Sequence, residues 1–169
     1  MKKIIAVSGS NAGDSNLNKE ILQIAEETGY LIAKKGGILV CGGLGGIMEA
    51  SAKGAKKGGG TTVGLLPWKK ESANPYIDIP IATGLGFFRN NIIINCADCV
   101  ISICGRWGTL NEVAMAMGLG KKTVVIAASR GVSELLSQKE VLKTFKKKPI
   151  VAYSAEEAVS LAFLNGVNS

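Results

Sequence analysis

The sequence predicts an α/β fold, a Rossmann-like three-layer sandwich whose mostly parallel sheet is covered by helices on both faces. Short apolar runs alternate with helical patterns along the chain, which is typical of parallel strands buried on both faces. Glycine-rich loops follow several of these runs, at the strand ends where such sheets bind ligands. Because 169 residues suit one domain, residues 1–169 are predicted to form a single Rossmann-like domain that binds a nucleotide or a phosphate.

Apolar spacing places the elements of the first half of the chain. Leu17, Ile21 and Leu31 recur at the helical period, with Ser15 or Asn16 as the N-cap. Glycine runs end both helices of this half. The predicted elements are, in order, a strand at 4–8, a helix at 17–35, a strand at 38–41, a helix at 47–57, a strand at 61–66 and a weak strand at 77–82.

The second half of the chain continues the alternation. Its predicted elements are, in order, a helix at 86–97, a strand at 99–103, a helix at 109–117, a strand at 123–128, a strand at 150–152 and a helix at 155–164. No apolar run reaches the ~18 residues of a membrane span, and the first residues do not resemble a signal peptide. We therefore expect a cytoplasmic protein with no membrane partner.

Glycine is the most unusual feature of the composition. The chain contains 22 glycines, about twice the usual share, and glycines accumulate where a backbone turns sharply or approaches another group closely. The formal net charge is +7, but most lysines form short pairs at predicted helix ends, where cations are favoured. We expect a mild attraction for anionic ligands and no nucleic-acid partner.

The chain has no histidine, which excludes Ser-His-Asp hydrolysis, Cys-His proteolysis and histidine-based metal sites. Cys96 and Cys99 have CxxC spacing, but no second pair completes a tetrahedral metal site. Cys99 and Cys104 are an odd number of residues apart in one apolar run, so their thiols are expected to face opposite sides of the sheet. All four cysteines, Cys41 included, are predicted to carry buried, inert thiols, and no metal is expected.

The segment from Gly105 to Glu112 has the strongest functional pattern. It follows a predicted strand and opens a helix, whose first N–H groups lack partners and attract an anion. Gly105 and Gly108 let the backbone wrap closely, and the Thr109 hydroxyl can donate to a phosphate oxygen. Thr109 and Glu112 also have the spacing of a capping box, in which they only satisfy the helix end. Loop, threonine and glutamate together predict a phosphate site.

Two further loops follow the first two predicted strands. The loop after strand 38–41 contains four glycines, Gly42, Gly43, Gly45 and Gly46. They require close backbone approach, either to a ligand or to the first loop, which contains Gly9 and Ser10. Neither loop matches GxGxxG, so a standard NAD or FAD site is not expected. All six residues are candidates for ligand binding.

Arg89 and Asn90 lie near the start of an otherwise apolar helix. A lone arginine there either binds a phosphate or carboxylate or pairs with an acid in the core. Trp68 and Trp107 lie in loops that follow strands. In such loops an indole either stacks on a heterocycle or covers a hydrophobic edge.

Apolar residues surround Arg89 in the sequence. Phe87, Phe88 and the isoleucines at 92–94 span more than one helical face, which indicates burial on several sides. We therefore predict a symmetric homodimer or a larger homo-oligomer formed through this region.

These motifs resemble the LONELY GUY (LOG) family and its relatives, once widely labelled lysine decarboxylases. The segment 105–112 is similar to the end of the signature PGGxGTxxE, although Cys104 replaces its proline and Arg106 its second glycine. The segments 42–49 and 84–90 are similar to motifs of a bacterial branch related to the DNA-processing protein DprA and to molybdenum-cofactor carrier proteins. The likeness covers nearly the whole chain and implies a Rossmann-like superfamily.

The resemblance implies roles for individual residues. LOG enzymes are nucleoside 5′-monophosphate phosphoribohydrolases, and by this likeness Gly105, Gly108 and Thr109 hold the 5′-phosphate. Glu112 stabilises the oxocarbenium-like ribose and orients water, while Arg89 fixes the substrate. N-glycosidic cleavage develops positive charge on the sugar, which a nearby carboxylate stabilises.

We expect a phosphate-anchored, carrier-like binding protein for a nucleotide-like or molybdopterin-like small molecule, which needs no other cofactor. Arg106 favours this function, because a guanidinium in the loop strengthens anion binding. The alternative is a phosphoribohydrolase in which Glu112 and Arg89 are catalytic. Binding of single-stranded DNA, by analogy with DprA, ranks below both.

Overall fold

The computed structural model describes residues 1–164 and contains one seven-stranded sheet. Its strands are β1 (Ile4–Gly9), β2 (Ile38–Cys41), β3 (Thr61–Leu66), β4 (Ile79–Ala82), β5 (Cys99–Ile103), β6 (Lys122–Ile126) and β7 (Ile150–Ala152). Its α-helices are α1 (Lys19–Lys34), α2 (Ile47–Lys57), α3 (Arg89–Cys96), α4 (Trp107–Gly118), α5 (Gly131–Leu135), α6 (Lys139–Leu142) and α7 (Ala155–Phe163). None of these helices is long and apolar enough to cross a membrane.

The strand order places a switch point at the middle of the sheet. The order is β4-β3-β2-β1-β5-β6-β7, and every strand pair is parallel. From β1 the chain adds strands outward to β4 and then returns to pair β5 with the free side of β1, where Gly9 lies opposite Ile103. Ligands of such sheets bind outside the carboxyl ends of the two strands at the reversal, here β1 and β5.

Helices cover both faces of the sheet, which confirms the predicted Rossmann-like three-layer sandwich. Alternate residues of β1 point to opposite faces. Ile5 and Val7 belong to the core that includes residues of α1, α2 and α7, whereas Ala6 packs in the core that contains Ile93 and Ile94 of α3. Two of the three successive isoleucines are therefore buried within their own chain.

Most predicted elements are confirmed, and the differences concern element ends, one divided helix and two helices that were not predicted. Helix α1 begins at Lys19, because the Asn18 side chain accepts a hydrogen bond from the Ile21 N–H at 2.9 Å. The N-cap is therefore Asn18, and the prediction of Ser15 or Asn16 was wrong. The predicted helix at 86–97 is a 3-10 turn, Gly86–Phe88, followed by α3. The apolar pattern did not predict the short helices α5 and α6.

The cysteines differ from the prediction in two respects. Cys41, Cys99 and Cys104 are buried, but Cys96 is exposed, so the prediction of four buried thiols was wrong at Cys96. Cys104 lies beyond the end of β5 and has a φ of 58°, which interrupts the strand alternation. It therefore lies in the same core cluster as Cys99 and not on the opposite side of the sheet.

Two glycines let α1 and α2 pack with their backbones in close approach. A Cβ added at Gly29 would lie 1.8 Å from the Ser51 carbonyl oxygen, and one at Gly54 would lie 1.7 Å from the Glu26 carbonyl oxygen. Both partners are backbone atoms, so a change of rotamer cannot relieve either collision. This helix pair supports the two loops that follow β1 and β2.

We predict that Gly54→Ala lowers the free energy of unfolding by about 3 kcal/mol, because the helices must separate to admit the methyl group. Gly118, the last residue of α4, is the matched control: an added Cβ there has no atom within 4 Å. Gly118→Ala is expected to be neutral or to stabilise by up to about 1 kcal/mol. Urea unfolding of both variants tests this, and equal losses in the two would contradict it.

Candidate functional site

A cavity of about 930 Å³ opens between the carboxyl ends of β1 and β5. Its volume falls within the roughly 300–1,000 Å³ of small-molecule sites. Nine of the predicted site residues line it: Gly9, Ser10, Gly42, Arg89, Asn90, Arg106, Gly108, Thr109 and Glu112. The other four lie outside its wall: Gly43, Gly45, Gly46 and Gly105. The switch point thus gathers residues from all three loops that the sequence indicated.

The N-terminus of α4 faces this cavity. The first helical hydrogen bond runs from the Leu110 N–H to the Arg106 carbonyl oxygen, at 2.9 Å. The N–H groups of Gly108 and Thr109 therefore have no acceptor within the helix, and both residues line the cavity. With the positive end of the helix dipole behind them, they can bind an anion.

Thr109 and Glu112 do not form a capping box. Helix α4 begins at Trp107 with Arg106 at the N-cap position, and no side chain caps it. Thr109 therefore lies inside the first turn, and the Glu112 carboxylate accepts a hydrogen bond from the Ser8 hydroxyl of β1. The capping interpretation of these two residues was wrong, because the helix starts two residues earlier than the pattern indicated.

Helix α5 orients the turn between β5 and α4. The Val132 N–H donates to the Gly105 carbonyl oxygen at 2.9 Å, and the Ser133 N–H donates to that of Cys104 at 3.0 Å. The Gly105 N–H points the opposite way and donates to Ser10 Oγ at 3.0 Å. Gly105 therefore shapes the site without lining it, since its amide is already bonded to the loop that follows β1.

Glu112 is a partly buried acid that lines the cavity. Burial raises the pKa of its carboxyl group to about 7, although the hydrogen bond from Ser8 and the positive charge of Arg89 oppose the shift. Near neutral pH the group therefore populates both its charged and its neutral form. A group of this kind can exchange a proton or respond to a nearby charge.

Arg89 is held by backbone carbonyl groups. Its Nε donates to the Leu65 carbonyl oxygen at 2.6 Å, and its other nitrogens lie 3.4 Å from the carbonyl oxygens of Gly86 and Gly42. Burial lowers the pKa of Arg89, and the Glu112 carboxylate opposes that shift. Among the described residues no acid forms a salt bridge with it, so its charge is available to the cavity that it lines.

Arg106 connects two loops at the rim of the cavity. Its Nη2 donates to Asp14 Oδ1 and to Ser15 Oγ, each at 2.8 Å. Asp14 also accepts a hydrogen bond from Ser10 Oγ at 2.6 Å. The Arg106 hydrogen bond is the largest cause that holds the pKa of Asp14 well below its usual value. The positive charge of Arg106 is thus partly offset before any ligand binds.

The glycines after β2 serve different purposes. Gly46, with a φ of 66°, approaches the first loop so closely that a Cβ would lie 2.4 Å from the Ser10 carbonyl oxygen. Gly45 faces Ala12 of the same loop, and the Gly43 carbonyl oxygen accepts from the Asn74 N–H. Packing against the first loop therefore explains Gly45 and Gly46, whereas Gly43 has a φ of 74° and packs against Gly64 and Leu66 of β3. Gly42 is the one of the four that lines the cavity.

The two tryptophans occupy different surroundings. Trp68 lies on the cavity wall and is 66% exposed. Trp107 is 81% exposed and does not line the cavity. The stacking interpretation is therefore geometrically available to Trp68 alone.

Sequence reasoning missed Ser8, Asp14 and Ser15 as site residues. Ser8 contacts Glu112 across 104 positions of sequence, and Asp14 contacts Arg106 across 92. Such pairs leave no local pattern. The available signal was positional: all three are polar residues at or just beyond the carboxyl end of β1, where ligand sites of this fold occur.

The model of the SLOG cluster4 family matches residues 2–159, so the chain belongs to the SLOG cluster4 family. It is similar to the solved molybdenum cofactor binding protein of Rippkaea orientalis, with 36% identity, a TM-score of 0.84 and 95% of each chain covered. It is also similar to the molybdenum cofactor carrier protein of Chlamydomonas reinhardtii, with 33% identity, a TM-score of 0.80 and 95% of each chain covered.

The chain is also similar to a hydrolase. The cytokinin riboside 5′-monophosphate phosphoribohydrolase of Mycobacterium marinum is 28% identical in an alignment of 158 positions that covers 83% of this chain and 84% of that protein. DprA of Streptococcus pneumoniae, at 18% identity and a TM-score of 0.70 over 94% of this chain and 61% of that one, shares the fold alone. The predicted likeness to the LOG family and to molybdenum-cofactor carrier proteins is confirmed.

We predict that Glu112 makes the stability of the fold depend on pH. Because its pKa is raised to about 7, the folded chain holds this proton more tightly than the unfolded chain. Its contribution therefore decreases as pH rises from about 4.5 through about 7. Relative to Glu112→Gln, which cannot titrate, the wild type should lose about 2–3 kcal/mol between pH 5 and pH 8. Urea unfolding of the wild type and of Glu112→Gln at both pH values measures this difference. An equal change in stability in the two proteins would contradict the prediction.

Proposed function

We propose that this chain is a phosphate-anchored, carrier-like binding protein that holds a molybdopterin-like or nucleotide-like molecule without turning it over. The observation that carries the proposal is the pair of free amides, Gly108 and Thr109, which face a cavity at the switch point of the sheet. Similarity to two molybdenum-cofactor-binding proteins over nearly the whole chain supports a pterin cargo. A cytoplasmic location stays a prediction.

The proposal gives the cavity residues distinct tasks. The phosphate lies at the amides of Gly108 and Thr109 and accepts a hydrogen bond from the Thr109 hydroxyl. Arg106 adds positive charge at the rim, while Arg89 and Asn90 provide polar groups deeper in the cavity. Backbone close to the ligand comes from Gly9, Ser10 and Gly42. The remaining candidates act indirectly by shaping the loops: Gly43, Gly45, Gly46 and Gly105.

We predict that Thr109→Val weakens binding of inorganic phosphate about tenfold, because a hydrogen bond to a charged group is lost while the shape of the side chain is kept. Thr109 is 3% exposed, so valine fits its buried position. Thr144→Val, at an exposed threonine outside the cavity, is the control and should bind as the wild type does. Calorimetric titration measures both, and equal affinities would contradict the anion site.

The cargo is tested by expression in a host that makes molybdopterin. The wild type and Thr144→Val should co-purify with a pterin, detected as its fluorescent oxidation product, and Thr109→Val should retain markedly less. Equal pterin content in all three proteins would contradict a cargo held through its phosphate.

A second candidate function is hydrolysis of a nucleoside 5′-monophosphate. The observation that favours it is Glu112, a partly buried carboxyl group that contacts Ser8 and interacts with the charge of Arg89, together with the similarity to a phosphoribohydrolase. In that function Glu112 as a carboxylate stabilises positive charge on the ribose, and Arg89 fixes the substrate. The phosphate site is common to both candidates, so turnover alone distinguishes them.

We predict that the wild-type protein releases no free adenine from AMP. Chromatography of the reaction mixture at pH 6 and pH 8 measures this. Three results together would overturn the carrier function in favour of hydrolysis: adenine appears, Glu112→Gln abolishes its release, and release becomes faster as the pH passes about 7. The reaction would then depend on the ionised carboxyl group of Glu112.

We also propose that the chain forms a homodimer or larger homo-oligomer through the surface around Phe88. Leu85, Phe88 and Ile92 are exposed at 46%, 82% and 39%, and a cluster of exposed apolar side chains is typical of an interface. Phe88 does not line the cavity. Phe88→Glu should lower the mass measured by light scattering at micromolar concentration, while Tyr153→Glu, at an exposed residue elsewhere, should not. A wild-type monomer would refute this assembly.

A further inference from the structure

Two aromatic side chains form a part of the cavity wall that the phosphate does not use. Trp68 and Phe87 both line the cavity and are 66% and 79% exposed. Among the residues described along this wall they are the only aromatic ones. Two large aromatic rings exposed to water lack the stabilisation that burial gives. A ligand bound in the cavity would bury both rings.

The backbone holds Trp68 in a defined position. The six-membered ring of its indole lies against Gly86, where an added Cβ would be 2.9 Å from Cζ2 and 3.2 Å from Cη2. Gly86 has a φ of 52°, which other residues rarely adopt. Because position 86 has no side chain, its backbone approaches the indole closely. Trp68 nevertheless stays 66% exposed.

Phe87 lies beside the anion site. Its Cε1 is 3.7 Å from the position that a Cβ on Gly108 would occupy, at the start of α4. The aromatic wall and the amides that bind the phosphate are therefore neighbouring parts of one cavity. A single ligand can contact both.

The geometry points to a stacking subsite, formed by Trp68 and Phe87, for the planar fused-ring heterocycle of a purine or pterin. The inference rests on the proposed function, because it locates the ring system of the ligand whose phosphate binds at Gly108 and Thr109. Aromatic side chains stack on such rings through their π-faces and discriminate weakly between bases. The subsite accordingly selects ligands that carry a fused ring over sugar phosphates that lack one.

Binding measurements with four probes test the subsite. The probes are GMP, the phosphate ester of 6-hydroxymethylpterin, ribose 5-phosphate and inorganic phosphate. The wild type should bind at least one fused-ring probe more tightly than ribose 5-phosphate. Trp68→Ala should weaken that binding about tenfold and leave the affinities for the two ring-free probes unchanged. The fused-ring probe that binds more tightly identifies the ring as a purine or a pterin.

The second tryptophan supplies a matched control. Trp107 is exposed and lies outside the cavity wall, so Trp107→Ala should leave all four affinities as in the wild type. The chain has two tryptophans, which also permits a spectroscopic test. In Trp107→Phe the remaining indole is Trp68, and its fluorescence should be quenched by the fused-ring probe. In Trp68→Phe the fluorescence of Trp107 should not respond.

Each outcome either supports or overturns the inference. Fused-ring probes that bind no more tightly than ribose 5-phosphate would overturn the subsite while the phosphate site stands. Absence of binding to all four probes would overturn the proposed function as well. If Trp68→Ala alters the oligomeric state and leaves the affinities unchanged, the aromatic wall belongs to an interface between copies of the chain, and the subsite is wrong.

Discussion

Two hydrogen bonds from α5 fix the direction of the turn between β5 and α4, and the anion site depends on that direction. The carbonyl groups of Cys104 and Gly105 point toward the N–H groups of Ser133 and Val132, away from the cavity. Ser129 Oγ accepts from the Cys104 N–H at 2.7 Å and stabilises the positive φ of that residue. Carbonyl oxygens turned into the cavity would repel an anion, so a five-residue helix outside the site determines what the cavity can bind.

Backbone dipoles and side-chain charges both contribute to the electrostatics of this site. Arg106 already bonds to Asp14, and the carbonyl groups around Arg89 hold its guanidinium in place. Glu112 brings partial negative charge to the base of the cavity. The free amides of α4 have no such competitor, and a helix N-terminus carries roughly half a positive charge. These free amides are therefore the anchor that we propose for a phosphate, and the two arginines add positive charge to the same cavity.

The fold was predictable from the sequence because each buried parallel strand is a local apolar run, as Cys99–Ile103 illustrates. The loop at α4 was predictable for the same reason, since its glycines and threonine adjoin each other. Contacts between distant segments were not predictable. The contacts of Ser8 with Glu112 and of Asp14 with Arg106 join residues that share no periodicity. The capping-box interpretation was wrong because the spacing of Thr109 and Glu112 fits a helix that begins after Thr109 as well as one that begins at Trp107. Only tertiary contacts decide between these two starts.

The proposed mode of phosphate binding itself favours holding over cleavage in this cavity. Burial already places the pKa of Glu112 near 7, and a bound phosphate adds negative charge close to it. A like charge raises the pKa of a carboxyl group further, so a phosphate bound as proposed increases the neutral fraction of Glu112. A protonated carboxyl group donates a hydrogen bond to the ligand but stabilises little positive charge on a ribose. A phosphate held at α4, as proposed, therefore weakens the group that hydrolysis requires.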